Sequence, residues 1–384
     1  MSNWAVLLQD LLIRIAGRIK FLEDFLSFGR VCRSWRSVAV KENFKGTQLP
    51  WLMLAEDDNS DYRRFVTALH GNPIDNLLLP EAKGKRCFET LGWLVTLSEI
   101  GDMNLLHPIS RFKISLPHIS TFKHYLEGSV VNIFTFIQKA VLSSQPGLSS
   151  KENNFVLMVI HGSCGYLGFW KPGDKAWTTI ETYQGAFYDI TYYNGQFYAV
   201  NTTGNIFVCD VWGRDPTVAH LVGGIPREML RLKRAYIVES KGEVLVVVRD
   251  GHDLVFLGDY GDEEEDEDAC SDLDESRIDY GTSEFRVFKV DLSNREWAEL
   301  QSLGDNALFV GDNASISVQA AKFQGIRPNC IYFTDDCWPS YPRFKRGGGK
   351  DMGIYNMEDR SVAPCYKGGS FSRFCPPLWV RPYF

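Results

Sequence analysis

The feature that most constrains this chain is a change of hydrophobic period close to Phe44. Before it, apolar residues recur at three- and four-residue steps, as on one face of a helix. After it they alternate in short runs separated by glycine-containing turns, and they do so to the C-terminal residues. The spacing predicts strands over residues 50–54, 93–97 and 112–116, while residues 122–141 mix helical and extended signals. From there a unit recurs: strands at 155–160 and 166–170, a turn at 171–174, then Trp177 and Ile180. Strands at 186–190, 197–200 and 206–209 repeat it, as do 236–239, 244–248 and 285–290 with Trp297. A final set covers 307–310, 315–318, 330–333 and 353–357.

Each unit reads as a small antiparallel sheet with one exposed face of large residues. The units run to roughly 40–65 residues, near or above the period of a propeller blade. Sheets of this kind are stable when stacked radially about an axis, and about five of them fit after Trp51. Leu378, Trp379 and Val380 follow Pro376-Pro377, a rigid entry to a closing strand expected to pair with the first one. The expected fold is therefore an N-terminal α-helical module over residues 1–45, then an all-β propeller-like domain of antiparallel blades over 50–384.

The module poses a physical problem. Leu8, Leu11, Leu12, Ile15 and Ile19 share one helix face; Phe21, Leu22, Phe25 and Leu26 repeat the pattern; Val31, Cys32, Trp35, Val38 and Ala39 form a third face. Three helices in so short a segment bury too little surface to fold alone without metal, disulfide or partner. No metal-ligand cluster or cysteine pair is visible there, and Leu7, Leu8, Leu11 and Leu12 crowd one helix. The economical expectation is that another protein covers the remainder.

Charge is local. The formal net charge of −7 comes from residues 259–279, which hold twelve acidic residues against Arg277 and leave 40 basic and 36 acidic residues elsewhere. The remainder has no broad basic field of the kind that binds nucleic acid. The run itself cannot offset its ordering entropy and is expected to be a disordered insertion within the unit that begins near Tyr236. Nine scattered cysteines without a Cys-x-x-Cys pair suit a reducing compartment. Asp10 and Arg14 interrupt the first apolar stretch, so no signal peptide is expected. The runs 155–160 and 244–248 are too short to cross a bilayer. The expectation is an intracellular protein of the cytoplasm, the nucleus or both.

Chemistry-bearing motifs are sparse. Gly347-Gly348-Gly349-Lys350-Asp351 lacks the leading glycine and the Ser or Thr of a phosphate loop, and reads as a flexible loop. His161 near Cys164 has no orienting partner, and Asp250-Gly251-His252-Asp253 reads as a turn. Arg343, Lys345, Arg346 and Lys350 form a small basic cluster that reads as solvated loop. No catalytic residue, cofactor site or metal site is expected.

Trp4, Leu7, Leu8, Asp10-Leu11-Leu12, Ile15, Ile19 and the Val-Cys-Arg-Ser-Trp-Arg-Ser run from Val31 to Ser37 resemble an F-box over the whole N-terminal unit. Leu8 stands where that family usually carries proline. Tyr166 to Asp174 with Trp177, the stretch 194–210, and Asn329 to Asp336 are similar to a plant-specific, kelch-like propeller domain of unknown function that follows an F-box. These resemblances imply a plant F-box protein: the substrate-recognition subunit of an SCF-type cullin-RING ubiquitin ligase. It would dock on a Skp-type adaptor, and through it a cullin scaffold, while the propeller holds a target protein of unknown identity. Adaptor contacts would come from Leu7, Leu8, Leu11, Leu12, Ile15 and Trp35, with Ile19, Phe25 and Leu26 shared between core and interface. Such a subunit does no chemistry itself. Two other classes stay open. One is a scaffold whose module, with Leu8 for proline, no longer enters a ligase. The other is an enzyme using the propeller channel, for which no residue cluster argues.

Overall fold

The computed structural model describes residues 4, 7–46, 49–57, 59–67, 73–125, 133–147, 154–182, 185–231, 233–251, 255–256, 278–279, 281–323, 325–337, 341 and 344–381. Six blades stand around an axis, where about five were expected. Going outward from the axis, blade 1 is Leu378–Val380, Trp51–Met53, Tyr62–Thr67 and Pro73–Leu78. Blade 2 is Arg86–Thr90, Trp93–Leu97, Met103–Leu106 and Lys113–Ser115. Blade 3 is Ile137–Leu142, Leu157–His161, Tyr166–Trp170 and Thr178–Ile180. Blade 4 is Phe187–Tyr193, Gln196–Asn201, Asn205–Cys209 and Ala219–Gly224. Blade 5 is Arg234–Ser240, Glu243–Asp250, Glu284–Asp291 and Glu296–Leu300. Blade 6 is Ala314–Gln319, Asn306–Gly311, Cys330–Phe333, Gly353–Asn356 and Val362–Ala363.

The apolar side chains sort into six clusters, one at each junction between neighbouring blades. This corrects the expectation of one exposed face. Phe155, Leu157 and Val159 pack toward blade 2, whereas Val156, Met158 and Ile160 pack toward blade 4. Val244, Val246 and Val248 face blade 4, and Leu245 and Val247 face blade 6. Successive side chains of a strand point to opposite faces, so a middle strand with blades on both sides reads as a continuous apolar run.

Tight hairpins join the first two strands of blades 2, 4 and 5. The turn pairs Leu91-Gly92, Asn194-Gly195 and Lys241-Gly242 all have positive φ at both residues, the mirror-image turn whose twist matches the strands it joins. Blade 6 departs from the all-antiparallel expectation. Its chain enters at Asn306–Gly311, turns back as the inner strand Ala314–Gln319, then crosses to Cys330–Phe333, which lies parallel to the entry strand.

The ring closes as the sequence predicts: Trp51 pairs with Val380, Leu52 with Trp379 and Met53 with Leu378. Trp379 is fully buried, edge-on to Phe309 with centroids 5.1 Å apart, and its indole N–H finds no partner. Strands 62–67, 86–90 and 137–142 had no clear sequence signal, because Arg63, Arg86, Glu89 and Lys139 interrupt their apolar pattern; strands 73–78 and 103–106 were also passed over.

The acidic insertion enters blade 5 between Glu243–Asp250 and Glu284–Asp291. Its last residues, Ile278–Asp279, pair with Val255–Phe256; the rest of the run lies outside the described residues, where the expected disorder also falls. The Gly347–Gly349 segment is not the plain flexible loop expected. Asp335 accepts the Gly349 and Lys350 N–H groups at 2.7 and 3.0 Å, and a Cβ at Gly348 would lie 2.0 Å from the Tyr341 ring.

Three helices precede the propeller: α1 (Gln9–Ala16), α2 (Leu22–Arg30) and α3 (Arg33–Val38). Leu12, Ala16, Phe25, Phe28 and Val38 make their common core. Leu22 instead joins the cluster between blades 1 and 2, with Leu26 and Phe44 against its edge. The propeller thus covers part of the apolar surface that the sequence left over. Among the described residues no helix is long and apolar enough to cross a membrane.

Candidate functional site

The helical unit keeps one apolar stripe open. Leu8, Leu11 and Ile15 are 72%, 43% and 37% exposed, and Trp4 is exposed as well. Leu8 is the N-cap of α1, with φ −60° and ψ 141°, and its carbonyl accepts the Leu11 and Leu12 N–H groups. That φ is the value proline would impose, so leucine at this position leaves the helix entry unchanged. Asp10 sits in the first turn, where a negative charge suits the helix dipole.

The nine sequence-expected adaptor contacts fall into three groups. Leu8, Leu11 and Ile15 form the open stripe; Leu7, Ile19, Leu26 and Trp35 are half-buried; Leu12 and Phe25 are core. Leu12 and Phe25 are buried in the common core of the unit, because helical periodicity puts each on the side of its helix that faces the other two. Trp35 packs on Phe28 with centroids 4.6 Å apart, and its Nε1–H donates to the Trp4 carbonyl at 3.1 Å.

A second constellation lines the propeller axis. Here the six inner strands approach one another, and their axis-facing polar groups meet out of water. Toward the beginning of these strands, Arg86 pairs with Asp312 at 3.0 Å. Arg249 binds Asp336 at 2.8 Å and Asp351 at 2.6 Å, and also donates to the Tyr236 hydroxyl and the Thr334 carbonyl. Burial alone would lower the Arg249 pKa, but Tyr236, Asp351 and Asp336 outweigh it and raise it well above its ordinary value. Burial likewise pushes the Asp312 carboxyl up, with Arg86 opposing.

Toward the other end lies a pocket of about 290 Å³. Its floor includes Glu89, Lys139 and Asn313; Glu239 and Arg381 stand half-buried at its edge. Lys139 is already matched, by Asp189 at 2.5 Å and the Ser315 hydroxyl at 3.0 Å. Asn313 accepts the Ala140 N–H at 2.7 Å and donates to the carbonyls of Ala140 and Glu89, bridging the inner strands of blades 2 and 3. Burial pushes the Glu89 carboxyl up to about 7, although the Gly92 N–H and the charges of Arg381 and Lys139 pull it down. Sequence reasoning missed this constellation. The available signal was the isolated charged residue inside an apolar strand: Arg86, Glu89, Lys139, Asp189 and Arg249. No group of three or more His, Cys, Asp or Glu among the described residues could hold a metal ion. His161 is buried against Phe122 with neither ring nitrogen partnered, and burial lowers its pKa to about 3, so it is a neutral core residue.

The KIB1-4 beta-propeller family model matches residues 66–356, most of the propeller. Two relatives from Arabidopsis thaliana align over nearly the whole chain. The putative F-box protein At5g55150 is 25% identical, covering 99% of this chain and 97% of its own length. The F-box protein SKIP23 is also 25% identical, covering 100% of this chain and 97% of its own. Among solved structures, a protein of unknown function from Bacteroides caccae covers 86% of this chain and 99% of its own at 12% identity and a TM-score of 0.38, too distant to inform the site. This chain belongs to the KIB1-4 β-propeller family, and it is a plant F-box protein with a propeller domain.

Proposed function

We propose that this protein is the substrate-recognition subunit of an SCF-type cullin-RING E3 ubiquitin ligase, working inside the cell, in the cytoplasm, the nucleus or both. Residues 1–45 form an F-box that docks on a Skp-type adaptor, which links it to a cullin scaffold. Residues 50–384 hold the target protein. The subunit is non-catalytic: no enzymatic family is indicated among its relatives. It acts by raising the local concentration of the target beside a charged ubiquitin-conjugating enzyme.

The observation that carries the reading is the open stripe of Leu8, Leu11 and Ile15 on a unit whose core is Leu12, Ala16, Phe25, Phe28 and Val38. Exposed apolar residues at successive turns of one helix suit a helical groove on a partner. The names of the relatives supply the class of partner. The test is co-elution of the full chain with a purified Skp-type adaptor, for the wild type and for Leu8→Asp/Leu11→Asp/Ile15→Asp. The wild type should co-elute and the variant should not, while its circular dichroism stays unchanged. A wild-type chain that fails to bind any Skp-type adaptor would make it a propeller scaffold outside the ligase.

A further inference from the structure

The channel pocket carries an inference that deepens the target-binding half of that reading and rests on it. Glu89 is only 4% exposed. Its Oε1 accepts two backbone N–H groups, from Gly92 at 2.8 Å and Arg381 at 3.3 Å. Its Oε2 takes no protein partner among the described residues, and Glu89 lines the pocket. The Oε2 atom is not shut off from solvent, so it opens on the pocket, where a ligand taking the place of water would complete the carboxylate.

The neighbouring charges decide what that ligand can be. Lys139 is paired with Asp189, so it does not occupy Glu89 in place of an incoming cation. At the edge stand one cation, Arg381, and one carboxylate, Glu239. The carboxylates Glu89, Glu239 and Asp189 therefore outnumber the cations Lys139 and Arg381 by one. The hydroxyl-bearing lining, from Thr90, Ser143, Thr191, Tyr192, Ser315 and Ser317, can accept hydrogen bonds through its oxygens. An anion in the pocket would have to approach the Glu89 carboxylate. A pocket of about 290 Å³ has room for one long side chain rather than a folded element.

We infer that the channel mouth is the target-reading site of this propeller, and that it takes a lysine or arginine side chain of the target, whose cationic head pairs with the free oxygen of Glu89. This commits the target to a projecting basic residue and the propeller to the face where its inner strands end.

Phage-displayed random 12-residue peptides, panned on the immobilised full chain, test it. The selected peptides should share a Lys or Arg at one position. Replacing that residue by norleucine should weaken binding about ten- to a hundredfold, the range for a charge-assisted hydrogen bond. Glu89→Gln should lose the same factor, with no further loss when both changes are combined. The amide oxygen of Gln can still accept the Gly92 and Arg381 N–H groups. With the wild-type chain alone, affinity for the basic peptide should rise between pH 6 and pH 8, because the cation favours the ionised carboxyl. Panning that enriches no basic position, or additive losses in the double variant, would overturn the inference. So would tighter binding at pH 6, since Glu89 would then be donating a proton to a neutral acceptor. Adaptor binding is measured on the same preparations. Basic-peptide binding without adaptor binding removes the ligase and keeps the pocket; the converse removes the pocket and keeps the ligase.

Discussion

Residues 155–160 in blade 3 and residues 8–15 at α1 are both rich in apolar side chains, and the fold treats them in opposite ways. In blade 3 the alternate residues go to two different junctions, so both faces of the strand are covered. In α1 one face is covered by α2 and α3 and the other stays open. The difference is geometric. A blade has a neighbour on each side, and a ring leaves no blade without one, whereas the three-helix unit has its own core and meets the propeller through Leu22, Leu26 and Phe44. The apolar surface between blades is therefore structural. At α1 the surface that the chain leaves uncovered is available for binding.

The comparison is broken most severely inside blade 1, where strands from the two ends of the propeller are joined by pairing alone. Blade 1 is completed by Leu378–Val380, and Trp379 fills the cluster between blades 6 and 1. Trp379→Ala should destabilise the propeller by about 3–5 kcal/mol, the usual cost of a fully buried Trp. Urea denaturation followed by tryptophan fluorescence reads this directly. Trp379→Phe should cost distinctly less, since it keeps an aromatic ring against Phe309 and removes an indole N–H that has no partner. If the alanine variant melts like the wild type, the tail is not part of the ring.

Next in size is a pair of adjacent leucines. Leu12 is buried in the helical core and Leu11 is 43% exposed. Leu12→Asp places a carboxylate in an apolar cluster and should cost about 3 kcal/mol or more. The expected readout is loss of helical circular dichroism and rapid proteolysis before Leu49, with the propeller intact. Leu11→Asp should change stability by about 0.5 kcal/mol or less, as at other surface positions, and act on adaptor binding alone. Equal effects at the two positions would show that α1 has no distinct faces.

Much of this was legible in the sequence. The period change at Phe44, the glycine turns and the closing strand each follow from local chemistry. Leu11 and Leu12 could not be separated there, because a broad apolar helix face gives no sign of which edge meets its neighbours. The blade count fell short for a related reason. Blades 1 and 2 carry buried charges, Arg63 beside Glu56 at 2.6 Å and Arg86 beside Asp312, and a strand signal built on apolar alternation passes over them. The pocket was illegible because Glu89, Lys139, Asp189 and Asn313 come from four different blades and meet only when the ring closes.

The smallest effect is expected at the acidic insertion, and it sharpens the contrast between covered and uncovered parts. What blade 5 needs is the root of the insertion. The Gly281 N–H donates to the Gly251 carbonyl at 3.2 Å and the Ser283 N–H to the Asp250 carbonyl at 3.1 Å. Thr282 donates its N–H and its hydroxyl to Asp351, and the Arg249 Nε–H donates to its hydroxyl at 2.7 Å. These bonds close the blade whatever the loop beyond them contains. Replacing residues 257–277 by a short Gly/Ser linker should therefore shift stability by less than about 1 kcal/mol, because loop-closure entropy varies slowly with length. Thr282→Val, a change of one side chain, should cost more: about 1–3 kcal/mol for the hydroxyl lost between Arg249 and Asp351. Thermal melts of the two variants side by side make the comparison. A deletion that costs more than Thr282→Val would show that the run packs on the propeller and belongs with its covered surface.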